Sequence, residues 1–236
     1  MVEHIKKVVS QMIEEHDDSE KNLFRKMVPL ILKKGLDKVD TSMFDEDTKN
    51  KLMDAVGDEC FKKGKMEEAK KAFMRSKNKS NLVKMGDFFK NNQMTSDAID
   101  TYQLAEAYEK VNDLGEACLE DGDTTNAARA FIITKNSQML IRVADECVKR
   151  ERLDLAIEVY GAYNDKSKLS QLGEKCLKGD DLENAAKAFE AAENKNGLNR
   201  VGDALLKKEN VGLALKVYEA AGNEMMLEFI RKNFNM

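Results

Sequence analysis

Small, apolar and aromatic residues recur along this chain at a fixed interval of 29 positions. One column is alanine in every copy, at Ala69, Ala98, Ala127, Ala156, Ala185 and Ala214. Four positions later the residue is always aromatic, at Phe73, Tyr102, Phe131, Tyr160, Phe189 and Tyr218. A third column, the glycine position, holds Gly57, Gly86, Gly115, Ala144, Gly173 and Gly202. Six copies without insertion or deletion predict six structural repeats, which must stack on one another to bury their apolar faces.

Each copy contains two stretches with the periodicity of a helix. In the fifth copy, apolar or small residues lie 0, 3, 4 and 7 positions after the start of each stretch, at Leu169 and at Leu182, as on one face of a helix. We expect N-caps on the second helices at Asp123, Asp181 and Asn210. Turn-forming residues recur where copies meet, at Asn78, Asn136, Asp165, Asn194 and Asn223. The pattern predicts an all-α fold, a right-handed α-solenoid (α–α superhelix) of helix–turn–helix repeats.

The small residues of the repeat predict close packing between its two helices. The glycine and alanine columns are expected to face each other, because a minimal side chain lets two helix backbones approach. The aromatic ring is then expected to fill the space between one copy and the next. A larger side chain at Ala185 should overpack this contact, at a cost of about 1–3 kcal/mol.

The ends of the array depart from the repeat. Residues 1–50 are interpreted as an N-terminal helix followed by a degenerate copy, with a loop over residues 37–50; residues 51–223 form the six repeats, and 224–236 form a C-terminal capping helix. The helix expected over residues 1–17 is amphipathic, with apolar residues on one face at Ile5, Val8, Val9, Met12 and Ile13. We expect one continuous solenoid.

Composition and charge exclude several classes of protein. With 35% charged residues and no apolar run long enough to cross a bilayer, the chain is expected to have no membrane span, no signal peptide and a cytoplasmic location. The net charge of −4 argues against a nucleic acid partner.

The residue types that carry chemistry are sparse. Cys60, Cys118, Cys147 and Cys176 share one repeat position and are interpreted as buried core residues, since neighbouring helices are too far apart for an unstrained disulfide. The two histidines, His4 and His16, have no evident third metal ligand. We find no catalytic set and no phosphate-binding loop, so we expect no enzyme activity, no catalytic residue, no cofactor and no metal.

A column of acidic residues follows the glycine position and is the first candidate for partner binding. It comprises Asp58, Asp87, Glu116, Asp145, Glu174 and Asp203. On one interpretation these carboxylates bind a basic segment of a partner. On the other they form helix-stabilising pairs with lysines four residues later, at Lys62, Lys149, Lys178 and Lys207.

Apolar residues give a second candidate for partner binding. Phe88 stands where other copies have Glu, Ala or Lys, and is interpreted as a local hot spot. A strip that belongs either to the core or to a binding surface comprises Phe61, Leu119, Val148, Leu177 and Leu206, and Val83 and Ile141 also replace polar residues.

The order of small, large and aromatic positions resembles the tetratricopeptide repeat. In the fifth copy the matching positions are Leu169, Leu172, Gly173, Cys176, Ala185, Phe189 and Ala192. The period of 29 is shorter than the standard 34 and the usual proline is absent, which makes the chain similar to the solenoid repeats of clathrin heavy chain and coatomer subunits. The resemblance implies a protein-binding scaffold whose first helices line a concave groove, with the acidic column pointing toward it.

Three functions follow as expectations. The first is an adaptor that binds a peptide or helix of a partner protein in that groove. The second is a self-assembling structural subunit, joined through the N-terminal helix and the degenerate copy. An RNA-binding repeat protein comes third, since it would need a basic stripe that the sequence does not show.

Overall fold

A computed structural model of the chain describes residues 22–234. These residues form fourteen α-helices and one short 3-10 turn, with no strand. After α1 (22–34) and the turn Leu36–Lys38 come α2 (Glu46–Lys62), α3 (Met66–Arg75), α4 (Lys79–Asn91), α5 (Thr95–Leu104), α6 (Tyr108–Glu120), α7 (Thr124–Thr134), α8 (Ser137–Lys149), α9 (Leu153–Tyr163), α10 (Lys166–Lys178), α11 (Leu182–Ala191), α12 (Lys195–Lys207), α13 (Val211–Ala221) and α14 (Glu224–Asn233). The helix expected over residues 1–17 lies outside the described residues.

Each copy of the repeat is one helix pair, α2 with α3 through to α12 with α13. The described residues divide into two compact units, one ending at Ala107 and the other beginning at Tyr108. The first unit contains copies one and two, and the second contains copies three to six with α14. Within each unit a pair also packs against the next pair, as in α3 with α4 and α11 with α12. The predicted all-α solenoid class is confirmed; the boundaries at residues 50 and 223 stay a prediction.

Asparagine and aspartate side chains begin most of these helices. The predicted caps Asp123, Asp181 and Asn210 accept hydrogen bonds from the backbone N–H three residues later. The residues where copies meet are also N-caps, namely Asn78, Asn136, Asp165, Asn194 and Asn223. An N-cap satisfies a backbone donor that the helix itself leaves unpaired, so these residues fix where each helix begins.

The capping asparagines also join one copy to the next. Their Nδ2 atoms donate to residues 24 positions earlier on the preceding first helix: Asn78 to Asp54 at 2.7 Å, Asn136 to Asn112 at 3.2 Å, Asn194 to Ser170 at 3.3 Å and Asn223 to Asn199 at 2.7 Å. This contact needs both an acceptor for the cap and a donor for the bridge, which an amide supplies in one side chain.

Two residues in each copy have a left-handed backbone and form the turns between helices. The first turn uses Gly64, Gln93, Gly122, Glu151, Asp180 and Glu209, and the second uses Lys77, Glu106, Lys135, Asn164, Glu193 and Gly222. Left-handed residues end helices because they turn the chain while satisfying the last carbonyls. The strict spacing of these turns matches the common length of the six copies.

The aromatic ring packs on the glycine of its own copy. A Cβ atom added to Gly57 would collide with the Phe73 ring, and one added to Gly173 would lie 2.7 Å from the Phe189 ring. In the fifth copy the same Phe189 ring also lies against Gly197, in the first turn of the next first helix. The expectation of a ring between copies is therefore incomplete, because the ring also packs on the small residue of its own copy. The alanine column is fully buried, with Ala185 at 0% exposure.

The degenerate copy contains one helix, α1. Leu36–Lys38 form a 3-10 turn, and the residues from there to Asp45 connect it to α2. The expectation of a loop up to residue 50 is wrong, because α2 begins at Glu46. Asp45 caps this helix by accepting from the Thr48 N–H at 2.8 Å, and Glu46 and Asp47 add favourable charge to its first turn.

Candidate binding surface of the first helices

The six acidic residues lie on the first helix of each pair, but the structure gives them different surroundings. In copies two, four and six the carboxylate accepts a hydrogen bond from the tyrosine of its own copy. The O–H of Tyr102 donates to Asp87 at 2.6 Å, that of Tyr160 to Asp145 at 2.9 Å, and that of Tyr218 to Asp203 at 2.6 Å. Burial, and then this bond, raise the pKa of each tyrosine. Three acidic residues thus connect the two helices of a copy.

The sequence contained a signal for this bond. The aromatic column alternates strictly between phenylalanine and tyrosine, and every tyrosine copy has aspartate in the acidic column. Two phenylalanine copies have the longer glutamate there, at Glu116 and Glu174. The tyrosine–aspartate bond therefore recurs in every second copy.

Two acidic residues also form ion pairs with the next first helix. Asp145 lies 3.6 Å from the Lys168 Nζ, and Glu174 pairs with Arg200. The expected pairs with lysines four residues later are not formed by the described residues; Lys149, for example, lies 3.6 Å from Glu146. Where the residues of the acidic column form these hydrogen bonds and ion pairs, the partner lies on another helix of the same copy or of the next copy, and not on the helix of the acidic residue itself.

Asp58 and Glu116 make neither kind of contact and are exposed. Partial desolvation of its carboxyl group, and secondarily the nearby charge of Asp54, raise the pKa of Asp58 and outweigh the lowering by Lys62 and Lys84. An ionised Asp58 is therefore less favourable in the folded chain than in water. Of the acidic column, these two carboxylates are the most available to a partner.

Phe88 lies on α4 and belongs to an aromatic cluster of the first unit. Its side chain is 37% exposed, and its ring packs edge to face on Phe61 of α2, with centroids 5.2 Å apart. Phe89, 5.9 Å away on the same helix, is buried beneath. Asp58 lies one helical turn before Phe61, so this cluster combines an apolar surface with an acidic residue.

The other apolar candidates for partner binding are neither fully buried nor fully exposed. Leu119, Val148, Leu177 and Leu206 are all half-buried. Val83 and Ile141 stand where other copies carry the acceptor for the capping asparagine, and the residues 24 positions later are Ala107 and Asp165 instead of asparagine. The loss of the acceptor therefore coincides with the loss of its donor, which explains both apolar residues.

The cysteines are part of the core. All four are free thiols and all are buried. Burial raises the pKa of each thiol, that of Cys118 to about 11. The histidines lie outside the described residues, which contain no group of three or more side chains placed to bind a metal. No helix within residues 22–234 has the length and apolar character needed to cross a membrane.

Comparisons with known proteins give little beyond the repeat itself. No protein-family model matches the chain. No curated protein matches it. Among solved structures, it is similar to a circular tandem repeat protein described as having a novel repeat topology and enhanced subunit contact surfaces, at 14% identity and a TM-score of 0.15. The similarity covers 93% of this chain and 50% of that one, so the chain spans about half its length.

Proposed function

We propose that this chain is a non-catalytic, cytoplasmic protein-interaction scaffold that holds a peptide or a helix of a partner on its first helices. The observation that carries the proposal is the exposed Phe88 on Phe61. Aromatic side chains on such surfaces commonly supply much of the binding energy at protein interfaces. The resemblance to tetratricopeptide and clathrin-type repeats supports the same use of first helices.

The acidic residue beside this cluster defines the partner further. Because partial desolvation and Asp54 outweigh the favourable charges of Lys62 and Lys84 at Asp58, a further cationic group placed against it would stabilise its charged form. The expected partner segment therefore carries an apolar or aromatic side chain for Phe88 and a basic one for Asp58. Glu116 offers a second exposed carboxylate, in the second unit. Asp87, Asp145, Glu174 and Asp203 already have bonding partners within the chain, and contact of these four with a partner protein stays a prediction.

The test compares the amount of partner protein retained by two variants whose substituted residues are similarly exposed. Phe88→Ala should lower retention of the native partner about ten-fold or more. Leu104→Ala is the control, because Leu104 is 38% exposed but lies on a second helix of the same unit. Affinity purification with quantitative mass spectrometry measures both. Equal retention by the two variants would refute the proposal, and Asp58→Lys with Glu116→Lys tests the basic partner without touching the tyrosine bonds.

Self-assembly is a second candidate that one observation favours. Met225 and Phe229 lie one turn apart on α14 and are 79% and 50% exposed. In the degenerate copy, Leu30 of α1 is 66% exposed. Sedimentation velocity separates the candidates: a monomer at every concentration eliminates self-assembly and leaves the adaptor.

A further inference from the structure

Two open pockets flank α8 on the first-helix surface of the second unit. The pocket on one side has a volume of about 400 Å³, and Leu119 and Arg142 are among its lining residues. The other has a volume of about 290 Å³, and Val148 and Lys175 are among its lining residues. Asp145 lines both, so the pockets are adjacent.

The charged residues around these pockets are mostly basic. Four cations line the pair, namely Arg142, Lys149, Lys168 and Lys175, against the two carboxylates of Asp145 and Glu146. Both carboxylates are already occupied. Asp145 accepts from Tyr160 at 2.9 Å and lies 3.6 Å from Lys168, and Glu146 accepts from the Arg150 Nε at 2.8 Å.

Two of the four cations have no carboxylate partner in the described structure. The Arg142 guanidinium donates to the Met139 Sδ at 3.4 Å, and Lys175 forms no ion pair. Both side chains are exposed. Each pocket therefore joins an apolar wall, Leu119 or Val148, to an unpaired cation.

We propose that these pockets bind an acidic segment of a protein partner, with its apolar side chains on Leu119 and Val148 and its carboxylates on Arg142 and Lys175. This rests on the proposed use of the first helices and names a second, chemically opposite site on them. Charge complementarity favours an acidic occupant. A basic segment would be repelled by the unpaired Arg142 and Lys175, and the carboxylates of Asp145 and Glu146 already have bonding partners. Because the chain has a net charge of −4, its overall charge does not attract an acidic segment. The attraction must therefore come from this local surface.

The probe is a fluorescein-labelled peptide of alternating Glu and Leu, compared with peptides in which every Glu is Gln or Lys. Fluorescence anisotropy at about 50 mM salt should show the acidic peptide binding at least about ten-fold more tightly than the Gln peptide. Binding should weaken at about 300 mM salt, because screening reduces exposed charge attraction. Equal affinity for the Glu and Gln peptides would overturn the proposal.

Paired variants locate the site. Arg142→Glu with Lys175→Glu should lower affinity for the acidic peptide about ten-fold or more. Lys135→Glu with Lys216→Glu makes the same change in net charge at exposed residues of the second-helix side, and should leave affinity within about three-fold. Equal weakening by both pairs would show attraction to net charge alone and refute the site. Phe88→Ala should not change this affinity, so failure here is distinguishable from failure of the adaptor proposal.

Discussion

At the scale of single residues, the alternation of tyrosine and phenylalanine decides what the acidic column does. Phenylalanine and tyrosine rings pack on the same small position, as Phe73 does on Gly57 and Tyr102 on Gly86. Only the tyrosine adds a hydroxyl, and that hydroxyl reaches the aspartate on the first helix. Sequence reasoning detected the acidic column but assigned it to a ligand or to lysines of the same helix.

The bond between Tyr218 and Asp203 can be removed without changing the packing. Tyr218→Phe should lower the free energy of unfolding by about 1–2 kcal/mol, because a hydrogen bond to a carboxylate is lost while the ring remains. Urea unfolding followed by circular dichroism measures the change. Tyr163→Phe is the control, since the Tyr163 hydroxyl makes no hydrogen bond in the described structure.

The same bond has a predictable pH dependence. Burial and the Asp203 bond raise the pKa of Tyr218 above the ordinary value of about 10. Its contribution is therefore fully present below that ordinary value and is lost as the pH rises through the raised one. The stability difference between Tyr218→Phe and the parent chain should shrink in alkaline solution, and a constant difference would contradict the assignment.

At the scale of helices, the capping asparagines set both the start of a helix and its contact with the previous copy. Asn78 accepts from the Asn81 N–H at 3.1 Å and donates to Asp54 at 2.7 Å. The Ser76 hydroxyl also donates to Asp54, at 2.5 Å. The sequence identifies these residues as turn formers. Their hydrogen-bond partners 24 positions earlier are seen only in the packed structure.

Asn78→Asp separates the two roles of this side chain. Aspartate caps a helix as well as asparagine, but here it places a second carboxylate against Asp54. We expect a loss of about 1–3 kcal/mol at neutral pH, relieved on acidification, because the pair then holds a proton and the repulsion ends. Asn194→Asp is the control, since the Ser170 hydroxyl opposite it can donate to a carboxylate. Equal losses at neutral pH for the two variants, measured by urea unfolding, would refute the asparagine bridge.

At the scale of the molecule, the reactivity of the four thiols is a probe of how well the core of each unit excludes solvent. Cys60 lies in the first unit, and Cys118, Cys147 and Cys176 lie in the second. All four are buried with raised pKa values, so little thiolate is present or accessible near neutral pH.

Reaction with Ellman's reagent should therefore be slow for every thiol of the folded chain and complete in denaturant. Met43→Cys provides a fast-reacting control, because Met43 is 80% exposed. Gly173→Ala, which places a Cβ 2.7 Å from the Phe189 ring, should accelerate labelling of the second unit's thiols. Rapid labelling of the unmodified parent chain, followed residue by residue with mass spectrometry, would show that the cysteine position is not core.

The sequence by itself determined the helix pairs, the stacking of copies, the caps and the buried positions, because a repeat of fixed length exposes each packing requirement six times over. The recurrence of Ala69 and its equivalents is enough to assign them to the core. The start of α2 at Glu46 was missed, since a single cap on a degenerate copy has no equivalent in the other copies.

Tertiary structure alone decided which polar residues remain available to a partner. Glu116 and Glu174 share one repeat position, both in phenylalanine copies, yet the second pairs with Arg200 while the first makes no such pair among the described residues and is exposed. The basic pockets around α8 were likewise not foreseen, because their residues come from separate helices. Periodicity places a side chain on a face of its own helix, whereas its bonding partners depend on how neighbouring helices bring distant residues within a few ångströms.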